Sequence, residues 1–280
     1  MDQVQLATFQ AVVEQGSFEA AARVLHVTPS AVSQRIKALE QTVGQVLVRR
    51  AKPCTATTAG EVLIRFAGQV ALLEREALDQ ARLSGSGGAV QLSVVVNADS
   101  LDSWFLPVLH QVPGVLFELH TDDQDHTAEL LRSGTAMAAV TADHHPVQGC
   151  RVERLGVMRY LAVASPALDI TDLSRTPVLV YNRKDRIQHR FLHARYDYDP
   201  PVHYIPATAA FNRAIRLGLG WGLLYEQEAR PELAAGRLVE IDPGGHLDVP
   251  LYWQCWRLSS NALDTLTAAV RTAAARSLRQ

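Results

Sequence analysis

Ser17 to Leu39 reads SFEAAARVLHVTPSAVSQRIKAL. Ser17 stands directly before a run with helical apolar spacing, as a helix N-cap does, and Ala21, Ala22 and Leu25 then share one face. The small alanines let a second helix approach closely. Thr28-Pro29 repeats the signal: the threonine caps, and the proline takes the first helical position, where its missing N–H costs nothing. The helix that follows turns Val32, Ile36 and Leu39 inward. Its other face carries Ser30, Ser33, Gln34 and Lys37, with Arg35 beside them. Upstream, Leu6, Phe9 and Val13 recur at helical spacing until Gly16 stops them. Three short helices, the last two joined by a tight turn, predict a helix-turn-helix.

Charge points the same way. From Arg23 to Arg65 there are seven basic residues and two acidic ones, in a chain whose net charge is -2. Such a run also fits a solvated surface on a domain that meets only protein. Here it coincides with the polar face of the third helix and with residues 46–57, which read as a short hairpin, or wing. That combination favours double-stranded DNA. Ser30, Ser33, Gln34 and Lys37 are assigned to the major groove, where base edges are read; Arg35, Arg49 and Arg50 are assigned to phosphates. Thr58 to Glu61 has the T-x-x-E spacing of a capping box. Beyond it Val62, Phe66, Val70, Leu73 and Ala77 form a coiled-coil-like seam, which predicts a dimerisation helix rather than packing within one domain.

Ser84-Gly85-Ser86-Gly87-Gly88 is a flexible linker by composition. The organisation expected is therefore a DNA-reading domain over 1–57, a dimerisation helix and hinge over 58–89, and an α/β domain over 90–280. In that last part short apolar strands (90–96, 115–120, 136–140, 178–181, 222–225) alternate with helices (103–111, 125–132, 208–217, 227–235, 261–278). The alternation predicts crossovers and a largely parallel sheet. Ligands of such sheets bind beyond the carboxyl ends of strands. Asn97, Asp99 and Ser100 follow the first strand, where free N–H groups and a hydroxyl suit a carboxylate. Asp122 and Asp123 follow the second, and adjacent acids at a strand end suit an ammonium or guanidinium. Asp99 and Asp125 also read as plain helix caps. Thr141 and Thr208 are further candidate hydrogen-bonders, while Trp104 and Trp221 read as packing.

Other classes find little support. The composition is 48% hydrophobic and 20% charged, ordinary for a globular chain. No apolar run approaches the ~18 residues of a membrane span. The N-terminus lacks a secretory signal, so a cytoplasmic location is expected. Three scattered cysteines suit reduced thiols better than a disulfide framework. No metal spacing, cofactor motif or catalytic signature is present: His144-His145 reads as a polar loop, and the glycines from Gly218 to Gly222 lack the spacing of a dinucleotide turn. The alternatives kept are an enzyme with a helical regulatory domain and an effector-binding scaffold that meets protein instead of DNA.

The stretch from Phe9 to Gly60, FQAVVEQGSFEAAARVLHVTPSAVSQRIKALEQTVGQVLVRR…TTAG, resembles the winged helix-turn-helix of LysR-type transcriptional regulators, and the resemblance extends along essentially the whole chain. Within that family, VTPSAVSQRIKALE together with Val96 to Leu101 and Trp104 is similar to the ArgP/LysG branch. The resemblance implies a two-lobed α/β effector domain like that of periplasmic binding proteins. It also implies an effector that is a basic amino acid (lysine, with arginine or histidine as alternatives), control of an exporter gene, and a tetramer built from dimers. A different small metabolite is the remaining alternative for the effector.

Overall fold

The computed structural model describes residues 1–81, 89–121, 127–196 and 198–280. Helices α1 (Gln3–Gln15), α2 (Phe18–Val24) and α3 (Pro29–Val43) form the N-terminal domain. The caps fall where the sequence puts them. The Ser17 hydroxyl accepts from the Ala20 N–H at 3.1 Å and the Thr28 hydroxyl from the Ala31 N–H at 3.2 Å, with Pro29 opening α3. Phe9, Val12, Ala21, Val32, Ile36 and Leu39 are fully buried among the three helices. Strands β1 (Val48–Arg49) and β2 (Thr55–Ala56) pair antiparallel as the wing. Glu40 of α3 anchors it, accepting from the Leu47 N–H at 2.9 Å and the Val48 N–H at 3.4 Å.

The long helix α4 (Thr58–Ala81) begins one residue earlier than its expected capping box. The Thr57 hydroxyl, not that of Thr58, accepts from the Gly60 N–H at 3.1 Å. Ile64, Ala67 and Leu72 turn inward, whereas Val62, Phe66, Leu73 and Ala77 are exposed and Val70 is half-buried. The seam therefore faces away from the protein's own core. The linker at 84–88 lies outside the described residues.

Beyond it come β3 (Val90–Val96), α5 (Ala98–Ser100), a π-helical turn (Leu101–Phe105), α6 (Leu106–Leu109), β4 (Val115–Thr121), α7 (Thr127–Ser133), β5 (Ala138–Thr141), β6 (Cys150–Ala164), β7 (Val178–Val180), α8 (Ile187–Arg195), β8 (Val202–Tyr204), α9 (Thr208–Arg216), β9 (Gly222–Tyr225), α10 (Glu226–Ala234), β10 (Val239–Glu240), β11 (Leu247–Trp256) and α11 (Asn261–Ser277). The main sheet runs β10-β6-β11-β5-β3-β4, with β9 also on β6. It is mixed, not largely parallel. β3 is parallel to β4 and β5, but β11 is antiparallel to β5 and β6, and β9 and β10 are antiparallel to β6. The expectation failed because β6 and β11 were not read as strands: Gly156 and Pro250 interrupt their apolar patterns. The helix expected over 103–111 instead starts at Ala98, directly after β3.

One lobe holds β3, β4, β5 and the helices from Ala98 to Leu109. The other holds β7 to β10 with α8 to α10. β6 and β11 pass through both, with a register shift between Leu251 and Tyr252 opposite Gly156. Helix α4 is fastened to the first lobe. Glu76 accepts from the Ser260 hydroxyl at 2.6 Å and the Ala262 N–H at 3.0 Å at the start of α11, and Arg65 donates to the Gln148 carbonyl. Cys54, Cys150 and Cys255 are buried free thiols, and burial pushes that of Cys150 up to about 11. Among the described residues no helix is long and apolar enough to cross a membrane.

Gly60 sits where α4 crosses the wing: a Cβ there would stand 2.3 Å from the Leu47 carbonyl oxygen and 3.1 Å from the Phe9 ring. Gly60→Ala should destabilise the N-terminal domain by ~1–3 kcal/mol, as overpacking of a close-packed contact does. Thermal denaturation followed by circular dichroism checks this; an unchanged melting temperature would show that the wing yields freely.

Candidate functional site

Two regions carry chemistry. The first is the exposed face of α3 with the wing. Ser30, Gln34 and Lys37 are exposed and Ser33 is half-buried, all on the side opposite the buried Val32, Ile36 and Leu39. The Ser30 hydroxyl lies 2.9 Å from that of Thr28, which steadies the start of the helix. Arg49 and Arg50 are exposed on the wing, and the Arg50 guanidinium rests 5.1 Å from the centre of the Phe18 ring. Arg35 differs: it is half-buried and donates to the Thr8 hydroxyl of α1 at 3.4 Å. Part of its hydrogen-bonding capacity is spent inside the domain. Glu40, one of the two acids of this segment, is turned onto the wing backbone. The outer face is thus left to cations and neutral polar groups, which suits a polyanion.

The second region is a cleft between the lobes, with an empty volume of about 830 Å³ including its open mouth. Four strand ends converge on it. Asn97 follows β3, Thr121 ends β4, Tyr181 and Asn182 follow β7, and Tyr225 ends β9. α8 adds Gln188, α9 adds Thr208 and Asn212, and β6 adds Tyr160. Two carboxylates line the cleft from opposite lobes, Asp99 and Asp185. The Tyr160 hydroxyl donates to Asp99 at 2.7 Å. Asp185 is buried and accepts from the Tyr181 N–H at 3.2 Å and the Ile187 N–H at 2.9 Å. Among the described lining residues no side chain is cationic. Burial, reinforced by Asp99, raises the Tyr181 hydroxyl above its ordinary range; burial and Asp102 do the same for Tyr225. Both stay protonated donors at neutral pH.

Two amides here are incomplete. Both polar atoms of the Asn97 side chain are buried without a hydrogen-bond partner among the described residues, and so is the Gln188 Oε1. Buried polar groups are rarely left unpaired, because the desolvation cost is then uncompensated. Each lobe thus presents an amide with open hydrogen-bonding capacity to the cleft.

Of the residues expected to meet an effector, Asn97, Asp99 and Thr208 come together here. Ser100 and Thr141 do not line the cleft. The Ser100 side chain is buried beneath the turn, and the Thr141 hydroxyl accepts from the Asp143 N–H at 3.1 Å. Asp122 and Asp123 lie outside the described residues. Sequence reasoning missed Tyr160, Tyr181, Asn182, Asp185, Gln188, Asn212 and Tyr225. The strand-end rule, applied to β7 and β9 as it was to β3, would have pointed to Tyr181, Asn182 and Tyr225. A separate group, Asp143, His144 and His145, gathers ligand-type atoms within 4.8 Å of one another on an exposed loop. There Asp143 accepts from the His145 N–H at 2.9 Å and lies 2.8 Å from its Nδ1, a local turn contact.

The chain matches two family models. Residues 4–61 match the bacterial regulatory helix-turn-helix protein of the lysR family, and residues 86–278 match the LysR substrate binding domain. It is 44% identical over 292 residues to the lysine export transcriptional regulatory protein LysG of Corynebacterium glutamicum, with all of both chains covered. The crystal structure of ArgP from Mycobacterium tuberculosis superposes with a TM-score of 0.89 at 48% identity, covering 100% of this chain and 99% of that one. Full-length LysG from Corynebacterium glutamicum with bound effector Arg gives 0.85 at 42% identity, with both chains fully covered.

The division of labour on α3 and the wing is testable by fluorescence anisotropy on operator and random duplexes over a range of salt. Gln34→Ala should reduce the preference for operator DNA, whereas Arg49→Ala should weaken both duplexes alike and reduce the salt slope by about one. Equal losses on both duplexes for Gln34→Ala would overturn the groove assignment.

Proposed function

The chain belongs to the LysR family of bacterial regulatory helix-turn-helix proteins, and from that premise we propose that it is a DNA-binding transcriptional regulator whose effector is a basic amino acid, lysine or arginine before histidine. The observation that carries this reading is the charge of the cleft: Asp99 and Asp185 face it from opposite lobes, and none of its described lining side chains is cationic. A ligand bringing an ammonium or guanidinium gains from both acids, and in a partly dehydrated cleft that attraction is stronger than in water. An acidic metabolite meets the opposite field. The α-carboxylate falls to uncharged donors, the Asn97 and Gln188 amides and the Thr208 hydroxyl. Asp122 and Asp123 belong to the same proposal as further acceptors for the cation; they follow Thr121, which lines the cleft. The relative named for lysine export and the Arg-bound structure speak for the same class of effector, and for control of a basic amino-acid exporter gene.

The regulator works as a homodimer joined through Val62, Phe66, Val70, Leu73 and Ala77 of α4, with pairs of dimers forming a tetramer. Dimerisation places two copies of α3 over two half-sites a whole number of DNA turns apart. The effector alters DNA binding only through its different affinity for two arrangements of the lobes. Because Glu76 and Arg65 tie α4 to the first lobe, a change in that lobe's setting moves the helices that carry the reading heads.

Calorimetry with lysine, arginine, histidine and glutamate tests the reading. Lysine or arginine should bind and glutamate should not. Asp99→Asn and Asp185→Asn should each weaken the basic ligand about 10-fold to 100-fold, the cost of losing a charge-assisted hydrogen bond. Binding of glutamate in preference to lysine and arginine would overturn the assignment.

A further inference from the structure

The cleft is bridged by a second carboxylate–tyrosine pair, whose tyrosine lines the cleft and whose carboxylate does not. Asp99 and Asp102 stand three residues apart on the helical segment that follows β3, in the first lobe. Tyr160 and Tyr225 are register partners on the antiparallel strands β6 and β9, in the second. The pairs form two rungs across the cleft: the Tyr160 hydroxyl donates to Asp99 at 2.7 Å, and the Tyr225 hydroxyl donates to Asp102 at 3.1 Å. Residues Leu101 to Phe105 form a π-helical turn, which inserts a residue into the winding and re-aims the side chains it carries; such turns concentrate at functional sites. Asp99 and Tyr225 line the cleft, but Asp102 does not.

We propose that Asp102 is a positioning residue: through Tyr225 it tethers the second lobe to the first, fixes the width of the cleft, and so sets effector affinity without touching the effector. The two acids on one helix then divide the work. Asp99 faces the cleft and discriminates between cations, and Asp102 holds the opposite wall at the distance at which that discrimination operates. Tyr225 suits this role because its ring is buried and its hydroxyl stays a donor at any physiological pH. Asp102 is otherwise exposed, so the tether is of moderate strength and open to change. Part of the ordering cost of effector binding is thereby met in advance, because the lobes need less ordering when the ligand arrives.

The inference rests on the basic-amino-acid reading for its ligand, and the experiment separates the two. Asp102→Ala, Asp102→Asn, Tyr225→Phe and the Asp102→Ala/Tyr225→Phe double variant are compared in the full chain. One arm measures amide hydrogen exchange over residues 98–105 and 222–225 without ligand; the other titrates lysine and arginine by calorimetry. Asp102→Ala and Tyr225→Phe should each speed exchange in both segments. Each should weaken lysine and arginine by the same factor, about threefold to tenfold, leaving their ratio unchanged. Asp102→Asn, which keeps an accepting oxygen, should restore most of the affinity, and the double variant should be no worse than either single one. Losses that multiply in the double variant, or unchanged exchange in Asp102→Ala, would overturn the tether. A parent protein that binds neither lysine nor arginine would count against the effector assignment alone, and the exchange arm would still decide the tether.

Discussion

The antiparallel ladder between β6 and β11 is the constraint on which the effector domain depends. It runs from Cys150 opposite Trp256 to Tyr160 opposite Leu247, through both lobes without a break in the chain. The lobes are therefore two ends of one sheet rather than two beads on a string. The ladder changes register once, between Leu251 and Tyr252. A bulge of this kind bends and twists a strand pair locally while leaving hydrogen bonding intact on either side. The ladder's sheet supplies the cleft with Tyr160 from β6, Tyr225 from the end of β9, Asn97 after β3 and Thr121 at the end of β4, while α8, α9 and the segment after β7 supply most of the rest of the lining.

That dependence explains how much of the site was legible in the sequence. The N-terminal domain could be read almost residue by residue, because its signals are local: Ser17, Thr28 and Pro29 act within four residues of themselves. In the effector domain β3, β4 and β9 were equally plain as short apolar runs. β6 was not. Arg151, Glu153, Arg154 and Arg159 interleave with its apolar residues, and Gly156 sits at its middle; only pairing on both sides makes it a strand. β11 is similarly interrupted by Pro250. With those strands unread, the antiparallel half of the sheet was invisible, and the second wall of the cleft with it. Asn97 and Asp99 were found because they follow a legible strand. Asp185 and Gln188 lie in a polar stretch, YNRKDRIQHR, whose residues look alike until the fold selects which of them turn inward.

Electrostatics separate the two functional regions more sharply than net charge does. The whole chain is slightly acidic, yet the segment from Arg23 to Arg65 carries seven basic residues against two acidic ones, while the described lining of the cleft holds two acids and no cation. Glu40 illustrates how the first is kept: its carboxylate is turned onto the Leu47 and Val48 amides, where it organises the wing instead of opposing phosphate. Asp185 illustrates the second. Its oxygens accept backbone N–H groups of the loop leading into α8, which stabilise the carboxylate as an anion inside a buried setting. In both cases main-chain donors hold the carboxylate in place.

Helix α4 joins these regions and shows one face to each of two demands. Ile64, Ala67 and Leu72 are buried, Gly68 lies against the Trp256 ring, and Glu76 caps the start of α11. That face makes the helix an extension of the first lobe. The other face, with Val62, Phe66 and Leu73, remains exposed apolar surface, which is costly for a chain alone and useful to one that pairs. A helix so fixed cannot adjust independently to the lobe beneath it. Its 24 residues rise ~1.5 Å each, so α4 is a rod of roughly 35 Å, held to the first lobe at Arg65 and again at Glu76. In the proposed mechanism the effector reaches the DNA-reading heads through the stiffness of α4 and its attachments to the first lobe at Arg65 and Glu76.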